Sequence, residues 1–242
     1  MQLPLWAVQL VRVDPWPQEE SAELWATGED HAGQRWALRS TRGHRADAPL
    51  IEWLCYRLCD LLHIANPGYA VCQTSEGELV FGSRWADDAW QYAPHRHTAL
   101  QFDAVVRDAA DDITRMLVLD AFLPNDDRHA RNVLFRRVGQ RWRALAFDWS
   151  RARWFEPWPW DQNCNSAQFA DWLRAMGRLH PVAAHDCARA IESISPQMVL
   201  ESILASPEPW RDNLDIDAVG DWWQNHAAQR AQAALSVLGI PP

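Results

Sequence analysis

The octet Asn125–Asn132, NDDRHARN, follows directly on the apolar run MLVLDAFLP at 116–124. It sets two adjacent carboxylates, two arginines, a histidine and two asparagines within eight residues. Such residues gather in surface turns because their short polar side chains hydrogen-bond the nearby backbone, so a plain turn is the ordinary reading. Three features set this octet apart. Asp127 stands five residues before Asn132, strand-like and helix-like apolar segments bracket the group, and a further carboxylate, Asp148, lies sixteen residues beyond Asn132 at the end of the apolar strand LAF. If NVLFRR (132–137) and WRALAF (142–147) pair about the turn VGQ, then Asp127, Asn132 and Asp148 converge. Phosphoryl transfer from a nucleotide uses that set of groups. One carboxylate orients the attacking hydroxyl and takes its proton, while a second carboxylate and an amide oxygen hold Mg²⁺, which takes hard oxygen ligands in octahedral array.

Other chemistries fit the residues less well. His129 is the only histidine of the octet, no HExxH occurs, and the nearest cysteine is Cys164; His95 and His97 form an HxH without partners at zinc spacing. A P-loop is excluded, because GxxxxGK[ST] needs a lysine and all 23 basic residues are arginine.

The bulk of the chain is that of an ordinary globular protein. Its 242 residues suffice for one sizeable core or two small lobes, and 48% apolar with 23% charged residues excludes a disordered chain. A formal net charge of -9 argues against a chain that coats nucleic acid. Five cysteines, at 55, 59, 72, 164 and 187, supply no second close pair for a four-thiolate zinc site. Cys55 and Cys59 read as small apolar residues on a helix face. No secretory leader or membrane-spanning run is read, so the expected location is the cytoplasm, with no membrane partner.

Outward from the octet, the chain divides by character. WAVQLVRV (6–13), AELWATG (22–28) and QRWALRS (34–40) alternate as strands, with DPWPQEE as a break and EDHAG as a turn. LIEWLCYRLCDLLH (50–63) carries leucines at helical spacing. YAVCQT and ELVFGS form a hairpin around SEG, and 86–98 reads as a linker. From Leu100 the pattern turns helical: two segments through Leu123 broken near 109–112, then helices near 166–176, 181–193, 196–205 and 215–238. FEPWPWDQN (155–163) is rigid loop, since its prolines exclude regular helix. The expected fold is α+β: a small β-rich N-terminal lobe, residues 1–90, and a larger helical C-terminal lobe, residues 91–242, with a cleft of the kind that holds small-molecule sites.

LDAFLPNDDRHARNVLF followed by ALAFDWSRA resembles the HipA-like kinases, a bacterial branch of the protein-kinase-like fold whose catalytic loop has the form N-x-D-R-H-x-x-N. The resemblance covers roughly residues 20–150. It implies Asp127 as catalytic base, Asn132 and Asp148 as Mg²⁺ ligands, and Arg128 and His129 as supports of the loop. RWALRS is similar to the strand that carries the family's phosphate-binding lysine, replaced here by Arg39; PLIEWLCYRLCDLLH resembles the helix whose glutamate, here Glu52, pairs with that residue. Arginine keeps the charge but presents a planar fork in place of a point charge. TGEDHAG (27–33) stands as a poor glycine loop or an ordinary turn. Asp126 reads as solvated, and Asp120 as an acceptor of backbone N–H groups that orients the loop. The aromatic stretch WFEPWPW (154–160) occupies the place of a kinase activation segment.

The resemblance further implies ATP and Mg²⁺ as cofactors, a Ser or Thr hydroxyl of a protein as acceptor, and an antitoxin-like or regulatory partner. It also implies a stand-alone, minimal kinase domain. A silent pseudokinase serving as a binding module, and a small-molecule kinase of the aminoglycoside or choline type, are the alternatives.

Overall fold

The structure, a computed structural model, describes residues 7–17, 24–154, 158–212 and 214–241. Trp6, the stretch 18–23 and the triplet 155–157 lie outside the described residues, and with them parts of the expected first strand, its break, the second strand and the proline-rich loop.

Five strands, β1 (Val8–Pro15), β2 (Ala26–Asp30), β3 (Arg35–Arg39), β4 (Tyr69–Gln73) and β5 (Leu79–Arg84), close into a barrel in the order β1-β2-β3-β5-β4. The expected feature was a small sheet. Closure comes from a parallel pairing of β1 with β4, Val8 opposite Cys72 and Gln9 opposite Gln73, across more than sixty residues of chain. Alternation within a strand says nothing about such a partner. Leu10, Ala26, Trp36, Leu38, Cys72 and Val80 fill the interior as an apolar cluster of their own.

The turn from β2 to β3 is an ordinary tight hairpin. Asp30 Oδ1 accepts from the backbone N–H of Ala32 and Gln34 at 2.9 and 3.0 Å, and Gly33 supplies the positive φ of +75°. TGEDHAG thus forms an ordinary hairpin turn, and none of its residues lines the main cavity.

Between β3 and β4 runs α1 (Ala48–Leu61), with Pro49 in its first turn, where a missing N–H costs nothing. Its buried face joins Val71 of β4 and Phe81 of β5 to the main core, which continues through the C-terminal helices. Two tryptophans fasten this region to the rest: Trp53 Nε1 donates to the Ser202 carbonyl at 2.8 Å, and Trp210 Nε1 to the Leu79 carbonyl at 3.0 Å.

The segment 86–98 is more than a linker. It contains β6 (Trp90–Gln91), which extends the hairpin of β7 (Val133–Val138) and β8 (Arg141–Ala146) to three strands. Two residues are too few to show a period. Trp90 Nε1 donates to His97 Nε2 at 3.1 Å, so one histidine of the HxH serves packing. A capping box of Thr98 and Gln101 starts α2 (Ala99–Asp108), and the chain breaks at Ala109 before α3 (Ala110–Phe122), as expected. The remaining helices, α4 (Asn165–Ala175), α5 (Pro181–Ser193), α6 (Pro196–Leu204) and α7 (Ile216–Val237), fall within a residue or two of the expected spans. Among the described residues no helix is long and apolar enough to cross a membrane.

Candidate active site

A cavity of about 610 Å³ lies where the barrel, α1 and the β7–β8 hairpin meet, and Arg39, Glu52, Asp127, Asn132 and Asp148 all line it. These five side chains come from β3, α1, the octet and the segment after β8.

The octet is held by a buried ion pair. Asp120, near the end of α3, and Arg128 are both fully buried. Arg128 forks onto the carboxylate, Nε to Oδ2 at 2.9 Å and Nη2 to Oδ1 at 3.1 Å. Its remaining amine donates to the carbonyls of Asn132 and Phe147, and its guanidinium lies 4.6 Å from the ring centroid of Trp149. One arginine thus ties the octet to its own last residue, just before β7, and to Phe147, just after β8 and directly before Asp148. The bidentate geometry is open only to arginine. Asp120 differs from expectation: it accepts from side chains, Arg128 and the Asn125 amide at 2.7 Å, rather than from backbone N–H groups. Asp126 differs as well, since it pairs with Arg153 at 3.1 Å.

Past Arg128 the chain makes a single turn of 3₁₀ helix, Ala130–Asn132, capped by His129 Nδ1, which accepts from the Arg131 N–H at 3.1 Å. Burial moves the imidazole pKa down, with Asp127 pulling the other way, which suits a bracing neutral ring. Asn132 Nδ2 donates to the Asp127 carbonyl at 2.9 Å, so its amide oxygen is the group left to meet a cation. Asp127 itself is half-buried; its Oδ1 accepts from Asn165 Nδ2 at 2.6 Å.

Asp148 stands two residues beyond β8 with φ +59°, the left-handed region that Asp tolerates better than most residues. Its Oδ1 accepts from Arg39 Nη2 at 3.2 Å and from Ser150 Oγ at 2.8 Å. Burial opposes its ionisation, but Arg39 and the Ser150 hydroxyl outweigh that and hold its pKa below the usual carboxylate range. The second oxygen, Oδ2, takes no hydrogen bond from either.

Arg39 is 8% exposed and also faces Glu52, with Nε 3.6 Å from Oε1. That distance exceeds a hydrogen bond, and Arg39 Nε and Glu52 Oε2 are buried polar atoms without a hydrogen-bond partner in the protein. Glu52 Oε1 accepts from the Trp149 N–H at 3.1 Å, which links α1 to the residue after Asp148. Burial pushes the Glu52 carboxyl up to about 7 in spite of Arg39.

Ala37 and Ser83, a cross-strand pair on the same face as Arg39 and Phe81, line the cavity beside the ion pair. Tyr56, one helical turn beyond Glu52, shares a hydrogen bond of 2.7 Å with Ser83. Trp16 and Leu24, flanking the β1–β2 connection, close another side. Residues 18–23, between these two, lie outside the described part. Sequence reasoning did not single out Asn165, Ser166, Tyr56 or Ser83; no spacing rule joins them to the octet.

The fold is similar to that of two solved proteins. Two solved structures are similar over most or all of the chain: the Helicobacter pylori proinflammatory kinase CtkA, with a TM-score of 0.53 at 10% identity over 100% of this chain and 99% of that one, and HipA of Shewanella oneidensis MR-1, solved with HipB and operator DNA of a toxin–antitoxin system, with a TM-score of 0.51 at 11% identity. The alignment to HipA covers 86% of this chain and 61% of HipA, so the chain spans about three fifths of that neighbour. At these identities the likeness is one of fold. No family model matches the sequence, and no curated protein does.

Proposed function

We propose that the protein is an ATP- and Mg²⁺-dependent phosphotransferase that moves the γ-phosphate to a hydroxyl, with a Ser or Thr of a protein as acceptor. The observation that carries this reading is the convergence of five polar side chains from four distant segments on one cavity. In this reading the chain is a two-lobed, protein-kinase-like α+β fold, with residues 1–90 as the β-rich lobe and 91–242 as the helical one, and the nucleotide enters between them.

The residues fit the two absent groups. Arg39 Nε is a buried donor without a hydrogen-bond partner, ion-paired to Glu52 at 3.6 Å, and can donate to a phosphate oxygen, and Asp148 Oδ2 with the Asn132 amide oxygen offers hard oxygen ligands. Among the described residues no cluster of three or more His, Cys, Asp or Glu is placed to hold a metal. A cation held by one carboxylate and one amide together with phosphates and water is the usual habit of Mg²⁺. When bound, Mg²⁺ neutralises charge on the phosphates.

The chain's own residues do the rest. Arg39 draws a phosphate oxygen and is itself aligned by Glu52. Asp127 accepts the proton of the acceptor hydroxyl as that oxygen bonds to the γ-phosphorus and the bond from that phosphorus to the departing ADP breaks. Arg128 keeps Asp127, Asn132 and Asp148 in one frame. A regulatory partner of antitoxin kind is the assembly that the HipA neighbour suggests; direct contact with nucleic acid is not expected from a chain of net charge -9.

One observation favours a second reading, a silent pseudokinase. Arg39 bonds Asp148 and faces Glu52, so the cation that would meet phosphate is already paired. Turnover separates the two readings. Wild-type protein with Mg²⁺ is expected to transfer phosphate from ATP, and Asp127→Ala to lose at least about a hundredfold, the usual scale of a general base, while still binding Mg²⁺·ATP. Full turnover by Asp127→Ala contradicts the assignment; nucleotide binding without transfer by the wild type favours the pseudokinase.

A further inference from the structure

We infer that Asn165 is a positioning residue for Asp127, an inference that rests on the reading of Asp127 as the base. Asn165 opens α4, 38 residues beyond Asp127, and its Nδ2 donates to Asp127 Oδ1 at 2.6 Å. Among the described contacts it is the only side chain that bonds the Asp127 carboxylate. The other bonds at this residue involve backbone: its carbonyl accepts from Asn132, and its N–H meets the Asn125 side chain at the limit of 3.5 Å.

The next residue shows that this docking is a built arrangement. Ser166 is fully buried; its Oγ accepts from the Arg128 N–H at 2.7 Å and donates to the Asn125 carbonyl at 2.6 Å. Its own N–H reaches the Asp126 carbonyl at 3.4 Å. Two consecutive residues of α4 therefore bond four consecutive residues of the octet, 125 to 128. The labour divides between them. Ser166 holds the backbone of the loop, whereas Asn165 holds only the carboxylate that faces the cavity.

A carboxylate on a single-bonded side chain can rotate about χ1 and χ2. An amide donor on Oδ1 fixes that rotation and leaves Oδ2 as the oxygen that meets the acceptor hydroxyl. Asn165 is itself exposed, so the bond answers no buried polar group, and a substitution there is expected to disturb the fold little. A small misplacement of a catalytic group costs up to about a hundredfold in rate, so the effect belongs in kcat.

Asn165→Asp is the discriminating variant. It is isosteric, and the gain of a carboxylate in the first turn of a helix is set against its repulsion of the Asp127 carboxylate. It nevertheless removes the donor and turns an acceptor toward Asp127. We expect kcat for phosphate transfer to fall about tenfold or more in Asn165→Asp and Asn165→Ala, with the KM for ATP and the melting temperature near wild type, and Asn165→Ser, which restores a donor, to recover part of the loss. A kcat within twofold of wild type in Asn165→Asp overturns the inference, as does a loss in Asn165→Ala that tracks a lower melting temperature. Asp127→Ala in the same assay keeps the two ideas apart. If that variant turns over normally the base assignment falls, whereas an inactive Asp127→Ala beside an unaffected Asn165→Asp removes only the positioning role. A wild-type protein without transfer removes both.

Discussion

Glu52 and Arg39 are a buried pair whose members do not quite meet. The carboxylate is 2% exposed and the Nε–Oε1 distance is 3.6 Å, so desolvation outweighs attraction and the Glu52 carboxyl is pushed up to about 7 from its ordinary value of 4.5. Between those two values the folded chain holds a proton that the unfolded chain has released. The contribution of Glu52 to stability is therefore complete below about pH 4.5 and is lost as the pH rises through about 7. Glu52→Gln cannot ionise and lacks that loss. Urea unfolding of wild type is expected to lose about 1–3 kcal/mol more than Glu52→Gln between pH 5 and pH 8. Equal slopes for the two proteins contradict the account. None of this was legible in the residue types alone. Resemblance paired Arg39 with Glu52, but the second partner of Arg39, Asp148, lies 109 residues away and is set by the closing of the fold.

At the scale of elements, the helices were the legible part. Leucines at helical spacing marked α1, and the break between α2 and α3 falls at Ala109, at the edge of the interval 109–112 read from the sequence. Helical periodicity is local, so a window of sequence suffices. The barrel is different, because its register depends on strands far apart. Gly82 of β5 shows what closure demands. A Cβ there would lie 2.4 Å from Cys72 Sγ and 3.2 Å from Trp36 Cε3, both inside the barrel. Gly82→Ala is expected to destabilise by about 1–3 kcal/mol, the usual cost of overpacking a filled interior. Removing the sulfur should relieve part of that, so Gly82→Ala with Cys72→Ala should be less destabilised than the sum of the single changes. Strict additivity in denaturant melts would place the clash elsewhere. The octet was legible to a similar degree: Asp127, Asn132 and Asp148 do line one cavity, whereas Asn165 and Ser166, which hold the octet from α4, follow no motif and emerge only from packing.

For the molecule as a whole, the main apolar core does not stop at the boundary expected near residue 90. It runs from α1, with Val71 and Phe81 of the barrel, through α2 and α3 to Leu235 and Leu238 at the end of the chain, and Trp53 and Trp210 bond across the same junction. Elements that share one core unfold together, so calorimetry and far-UV melting are expected to show a single coincident transition. Two separable transitions would contradict a shared core. The cavity is lined by residues of the barrel, α1, the octet and the segment after β8, all between Trp16 and Arg151, and the central claim, a nucleotide site there, is within reach of one structure. The direct measurement is a crystal structure of the protein with Mg²⁺ and a non-hydrolysable ATP analogue. The predicted result has the metal on Asp148 and the Asn132 amide oxygen, a phosphate oxygen on Arg39, and the γ-phosphate facing Asp127. A nucleotide bound elsewhere, or an empty cavity at saturating nucleotide, would contradict it.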